Sequence, residues 1–255
     1  MTAERKNRIG AAFDAYTAAY DIGDVKIRLK YDHTYRVADN SEKIAASLSL
    51  PEGDLLLAWE IGMLHDIGRF EQVRQYGTFL DSLSVNHAEF GADLLFRDGL
   101  IARFGIPETN YPLIEKAIRC HNRYLLPEDL SEREGIFCRI IRDADKVDIF
   151  RVNVETGMEA IYNVPEEVLK KESVTPAVKT AFLKRHTIDR ALMETTIDHL
   201  VGHLALAFGL EYKESRRLAL QQGYLSRLMA FSSDNPDTAA FLWEAGEILR
   251  DFLSA

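Results

Sequence analysis

The 255-residue chain is expected to be all-α. Apolar residues recur at helical spacing almost throughout, no stretch alternates as a half-buried strand does, and capping residues and breakers fall where helices would start and stop. Ile9, Phe13, Tyr16 and Tyr20 line one face of a first helix, closed by Asp21-Ile22-Gly23-Asp24. A second helix is expected over about 25–48. A third starts at Pro51, a residue suited to a first helical turn, and ends near Asp66. Residues 69–85 have no clear period and read as a loop with at most one short helix. Asn86 is placed to cap a helix over about 87–98, Pro107 precedes one over 110–122, and Ser131 can cap one over 132–150. Further helices are expected at 165–171, 175–184, 188–208, 213–231 and 236–253. No repeat, low-complexity stretch or linker interrupts the chain. The expected organisation is an N-terminal helix over 1–23 packed on a core over 24–150 that carries the site. A C-terminal helical layer over 151–255 is assigned to the same compact unit.

Composition narrows the function. With 47% hydrophobic and 28% charged residues the chain has the balance of a water-soluble protein. A net charge of −9 argues against wrapping nucleic acid or sitting on an anionic membrane. No apolar run is long enough to span a bilayer, and the N-terminus lacks the apolar core of a signal peptide. Cys120 and Cys138 lie in apolar helical patterns and read as buried thiols, so a reducing cytoplasm is the expected location.

The chemistry is carried by histidine and aspartate. His65-Asp66, in Met-Leu-His-Asp-Ile-Gly-Arg, ends an apolar helical run. Neighbours on a helix point about 100° apart, so one site can use both only at a helix end. Of the 7 histidines, His65 lines up with Leu55, Ala58, Ile61 and Gly62, where small residues allow another helix to approach. His87 opens a stripe continued by Phe90, Gly91 and Leu94, and His121 closes the stripe Ile114, Ala117, Ile118. His33 shares the side of Val37, and Asp145 is in register with Cys138, Ile141 and Ile149. Each alone is more simply a hydrogen-bonded core residue. A core has little use for six such groups without a shared partner, and a carboxylate on an apolar face needs a cation or a full set of donors. A divalent metal site is the economical explanation.

In order along the chain, His33, His65-Asp66 and Asp145 within Arg-Asp-Ala-Asp-Lys-Val-Asp resemble the signature of the HD-domain superfamily of metal-dependent phosphohydrolases, over about 25–150. The resemblance implies an all-α helical bundle. His87 and His121 further resemble the binuclear branch, which includes cyclic-dinucleotide phosphodiesterases of the HD-GYP type, symmetrical diadenosine tetraphosphate hydrolases and diiron oxygenases typified by myo-inositol oxygenase. Carried over by position, His33, His65, Asp66 and Asp145 would hold one metal, and Asp66 would bridge to a second held by His87 and His121. Arg69 stands where HD-GYP proteins usually have Lys, and their Gly-Tyr-Pro stretch is absent, which disfavours a cyclic dinucleotide.

Phosphate chemistry also needs cations. Lys26, Lys30 and His33 share a helical face, with Arg36 near His33. Lys146 follows Asp145, Arg69 follows the dyad, and Arg123 follows His121. Asp66, Arg69 and Lys146 are the expected catalytic residues, and Arg36, Lys30 and Arg123 the expected substrate contacts, although each cation also suits a solvated surface. His199 and His203 lack the Glu of a His-Glu-x-x-His motif and read as packing residues, and His186 reads as a loop residue. The expected activity is hydrolysis of a small phosphorylated metabolite, with a nucleotide as the leading candidate, using one or two divalent ions (Mn, Fe, Ni, Co, Zn or Mg). Diiron oxygenation and non-catalytic nucleotide sensing are the alternatives. The expected assembly allows a homodimer and involves no membrane or nucleic acid.

Overall fold

A computed structural model describes Thr2–Ser254. It is 74% helical, with no strand among the described residues. The chain divides into two compact units, Met1–Asp145 and Lys146–Ala255. The division falls inside a helix, between Asp145 and Lys146, where no break in periodicity marks it.

In the first unit, α1 (Thr2–Thr17), α2 (Val25–Ser47), α3 (Glu52–Leu64), α4 (Ile67–Tyr76), α5 (His87–Ala92) and α6 (Tyr111–Cys120) are followed by the first part of α7 (Glu132–Glu155). Asp24 caps α2 by accepting from the Lys26 amide. The Asn86 side chain accepts from the amides of Ala88 and Glu89 and so starts α5. Ser131 and Glu134 form a reciprocal cap for α7, with the Glu134 amide donating to Ser131 Oγ and the Ser131 amide to Glu134 Oε2.

Two differences from the sequence expectation bear on the site. Residues 67–76 form a helix, because Ile67, Gly68, Phe70, Glu71, Gln72 and Val73 are all buried and a helix buried on most sides shows no polar face. Beyond Ala92 the helix expected over 87–98 widens into a π turn, Asp93–Arg97, in which the Asp98 amide donates to the Asp93 carbonyl.

Close approach of backbones brings the ligand-bearing helices together. A Cβ on Gly62 of α3 would lie 2.5 Å from Ala38 Cα of α2. A Cβ on Gly68 of α4 would lie 2.7 Å from both the Gly91 nitrogen and the His87 oxygen of α5. Arg119 of α6 holds α5 through Glu89 and Asp93, and Asn122 donates to the capping Asn86 oxygen. α1 docks through Phe13, which packs against Tyr35 and Phe70 at ring-centroid distances of 5.6 and 5.7 Å. Arg5 reaches the buried Glu60 of α3 at 2.6 Å.

The second unit begins within α7 and continues through α8 (Met158–Tyr162), α9 (Glu166–Leu169), α10 (Pro176–Leu183), α11 (Thr196–Ala205), α12 (Lys213–Gln222), α13 (Tyr224–Met229) and α14 (Pro236–Ser254). Gly223, at φ +74°, separates α12 from α13, where a continuous helix over 213–231 was expected. The buried Asp198 accepts from Thr175 Oγ1 and from the amides of Thr175, Glu194 and Thr195, fixing the start of α11. No helix among the described residues is long and apolar enough to cross a membrane.

Gly68→Ala must push α4 from α5 against backbone atoms that cannot rotate away. It is expected to lower stability by ~1–3 kcal/mol in urea unfolding. Gly53→Ala has nothing within 4 Å of the new Cβ and should be neutral or stabilise by up to ~1 kcal/mol. Equal effects would show that the α4–α5 contact is not close-packed.

Candidate metal centre

The site is built at the junction of α3 and α4. α3 ends at Leu64 and α4 starts at Ile67, so His65 and Asp66 occupy the turn between two helices and point into one space. This is the helix-end geometry that adjacent ligands require. α2 contributes His33, α5 contributes His87, the end of α6 contributes His121, and α7 contributes Asp145.

The two carboxylate oxygens of Asp66 face different imidazoles. Oδ2 lies 3.7 Å from His33 Nε2 and 3.6 Å from His65 Nε2. Oδ1 lies 3.5 Å from His87 Nε2 and 3.7 Å from His121 Nε2. Asp145 Oδ1 joins the first group, 3.1 Å from His33 Nε2 and 3.8 Å from His65 Nε2. His33, His65 and Asp66 form one cluster of donors close enough to hold an ion, and Asp66, His87 and His121 form another. All six ligands expected from the sequence therefore meet, with Asp66 common to both halves.

Hydrogen bonds fix which ring nitrogens carry protons. His65 Nδ1 lies 2.7 Å from the Gly62 carbonyl and His121 Nδ1 lies 2.7 Å from the Ile118 carbonyl. A carbonyl only accepts, so both Nδ1 atoms carry hydrogen. His87 Nδ1 lies 2.6 Å from Asp81 Oδ2. Asp81 is held below the usual carboxylate range: burial opposes this, but the hydrogen bonds from His87 and Gln72 and the charge of Arg69 outweigh it. It is therefore an acceptor too. Burial pushes the His65 imidazole down to about 3, and it pushes His87 down to about 4 against the raising effect of Asp81. These rings are neutral near pH 7 and turn bare Nε2 lone pairs inward.

Such lone pairs need a cation. His65 Nε2 and Asp66 Oδ1 are buried with no hydrogen-bond partner, and His87 Nε2 and His121 Nε2 face each other at 3.0 Å. The Nε2 lone pairs of His65 and His87 converge with the Asp66 carboxylate, which is costly for buried polar atoms. Imidazole nitrogens with carboxylate oxygens suit a borderline divalent ion of the Mn, Fe, Co, Ni or Zn type. The residues present fit a metal.

Cations line part of the cluster. Lys30 Nζ lies 2.6 Å from Asp66 Oδ2. Burial would raise the Asp66 pKa, but Lys30, His65 and their neighbours hold the carboxyl well below its usual range. Arg69 Nε lies 3.7 Å from Asp66 Oδ1, while its Nη1 donates to Gln72, to the Phe79 carbonyl and to Asp81. The Phe79 ring lies beside both cations, at 5.6 Å from Lys30 and 5.5 Å from Arg69. Lys26, on the same face of α2, donates to the Gly77 carbonyl.

Three expected substrate or catalytic contacts are placed elsewhere. Lys146 belongs to the second unit and donates to the Gly209 carbonyl at 2.7 Å. Next to Asp145 in sequence, it points about 100° away round the helix. Arg36 is exposed on α2, beside the buried Val37 in sequence. Arg123 is exposed and pairs with Glu89 at 3.2 Å. Asp81 and Gln72 were not singled out from sequence. They lie in or beside the aperiodic stretch, and the one available signal was a carboxylate six positions before a ligand histidine. Of the histidines set aside, His203 bonds the Tyr162 hydroxyl at 2.9 Å within the second unit, and His199 is exposed.

The family model described as HD domain matches residues 31–149. The chain carries an HD domain. The match takes in His33, the His65-Asp66 dyad, His87, His121 and Asp145. No curated protein and no solved structure matches the chain. Of the six cluster residues Asp145 has the most exposed side chain, at 18%, whereas those of His33 and His65 are fully buried.

The buried imidazoles also set a pH dependence. The His65 pKa is about 3 in the folded protein and ~6.5 unfolded. The unfolded chain thus takes up the proton first, and stability is lost as pH falls from ~6.5 toward 3. Glu60 acts in the opposite sense, since burial raises it to about 7 despite Arg5. The informative quantity is therefore a difference between variants. In metal-free protein, His65→Gln should lose less stability than wild type between pH 7 and 4.5 in urea unfolding. Parallel profiles would mean that His65 is not held neutral.

Proposed function

We propose that the chain is a metal-dependent phosphohydrolase that cleaves a phosphoester or phosphoanhydride of a small metabolite, with a nucleotide as the first class to test. The observation that carries the reading is Asp66, whose two oxygens each face a separate pair of imidazoles. His33, His65, Asp66 and Asp145 would hold one ion, and Asp66, His87 and His121 a second. When bound, the ions would lower the pKa of a water and neutralise phosphate oxygens.

The protein's own residues supply the rest. Burial keeps His65 and His87 neutral and ready to ligate, and shields the cluster from bulk water. Lys30 and Arg69 place positive charge beside Asp66, where a substrate phosphate would gain from it. Arg69 is steadied by Gln72, Phe79 and Asp81. That cost of ordering is met before substrate arrives. The two cations at the site favour an anionic substrate over a neutral polyol.

Elemental analysis of the purified protein should find two divalent ions per chain, of manganese, nickel, cobalt or zinc. The same protein should release phosphate from a panel of nucleotides and simple phosphomonoesters. Asp66→Ala should lose at least one ion and more than ~10²-fold in rate, with helical content by circular dichroism retained. Two irons with dioxygen consumed on adding a polyol or phosphonate would replace hydrolysis by oxygenation, and full activity in Asp66→Ala would remove the site altogether.

A further inference from the structure

His65, His87 and His121 are not supported in the same way at Nδ1. His65 and His121 each sit just past the end of a helix and donate Nδ1–H to the carbonyl three residues back, Gly62 and Ile118. Their support is local and comes with the helix. His87 is the first residue of α5 and has no preceding helical turn to donate to. Its partner is Asp81, in the connection between α4 and α5, at 2.6 Å.

Asp81 is itself a junction. Its Oδ1 accepts from Arg69 Nη1 at 2.9 Å and from Gln72 Nε2 at 3.0 Å, while its Oδ2 takes His87. Gln72 is fully buried and also donates to Ser84 Oγ and the Val85 carbonyl. The Phe79 carbonyl takes a further bond from Arg69. The connection is thus pinned to α4 by two side chains, and the same carboxylate orients a ligand of one half of the cluster. His65 instead donates to the Gly62 carbonyl, and Asp145 faces His33 and His65.

We infer that Asp81 is a positioning residue for the second ion: through His87 it ties the His87/His121 half of the centre directly to the 77–86 connection, whereas His65 of the other half takes its support from Gly62 of its own helix. The inference rests on the binuclear reading above. Carboxylates behind a ligand histidine hold the ring and its tautomer, and their loss typically weakens metal binding ~10–100-fold. Here that loss should fall on one ion of two.

The test is titration of chelator-stripped full-length protein with Mn²⁺ or Co²⁺, followed by calorimetry, with elemental analysis after desalting. Wild type should show two sites. Asp81→Ala should weaken one site ~10–100-fold and leave the other unchanged, and His87→Ala should abolish that same site. Asp81→Asn should fall between, because the amide oxygen still accepts from Nδ1–H without the charge. Circular dichroism checks folding, and if Asp81→Ala is unfolded, Asp81→Asn decides. Two unchanged sites in a folded Asp81 variant, or equal weakening of both, would overturn the inference. A wild-type protein that binds no ion, or one ion that survives in His87→Ala, would instead overturn the binuclear reading on which the inference rests.

Discussion

A carboxylate buried among four imidazoles is tenable only when positive charge meets it, and the first unit is arranged around that constraint at Asp66. An ionised carboxylate taken out of water loses hydration worth several kcal/mol even after relaxation. Lys30, one helical turn before His33, returns part of it at 2.6 Å. The geometry of the helices follows. α3 must stop and α4 must restart for the dyad to point inward. Gly62 and Gly68 stand on either side of it because α2 and α5 have to come close enough for His33 and His87 to reach the same carboxylate. Packing and chemistry are thus set by the same few positions.

Charge accounts for why the cluster is unfinished without an ion. Asp66 and Asp145 are both held below the ordinary carboxylate range, so both are ionised near neutral pH. Lys30 answers one of them, and the charge of Arg69 is shared with Asp81. The His65 and His87 imidazoles add none, because burial keeps both neutral. A surplus of negative charge and of lone pairs remains inside, and water has little room to relieve either. A divalent ion relieves both at once, which a hydrogen-bond donor does not.

What was legible in the sequence divides by range. The helical class and the six inward residues were readable, because burying a stripe at helical spacing leaves a direct trace in composition along the chain. His65-Asp66 at a helix end was readable for the same reason. α4 was not, since a helix covered on most sides loses its periodicity. Adjacency also misled: Lys146 beside Asp145 donates to Gly209, while Lys30, three positions from His33 on one helical face, meets Asp66. Face outranks neighbourhood on a helix. Asp81 was invisible because its role depends on how a connection without periodicity folds back on α4.

The same distinction bears on how the centre could be tuned. Ligands supported by their own helix, as His65 and His121 are, inherit the rigidity of the bundle and change only when it does. A ligand at the first position of a short helix has to borrow an acceptor from outside, and α5 spans just His87–Ala92. The borrowed carboxylate is partly exposed and lies between Leu80 and Leu83, which are 49% and 71% exposed. The connection packs on α4 through Arg69 and Gln72, and it acts on His87 through the single bond from Asp81. The fold therefore ties one half of the centre to the helices that carry its residues and the other to the connection between α4 and α5.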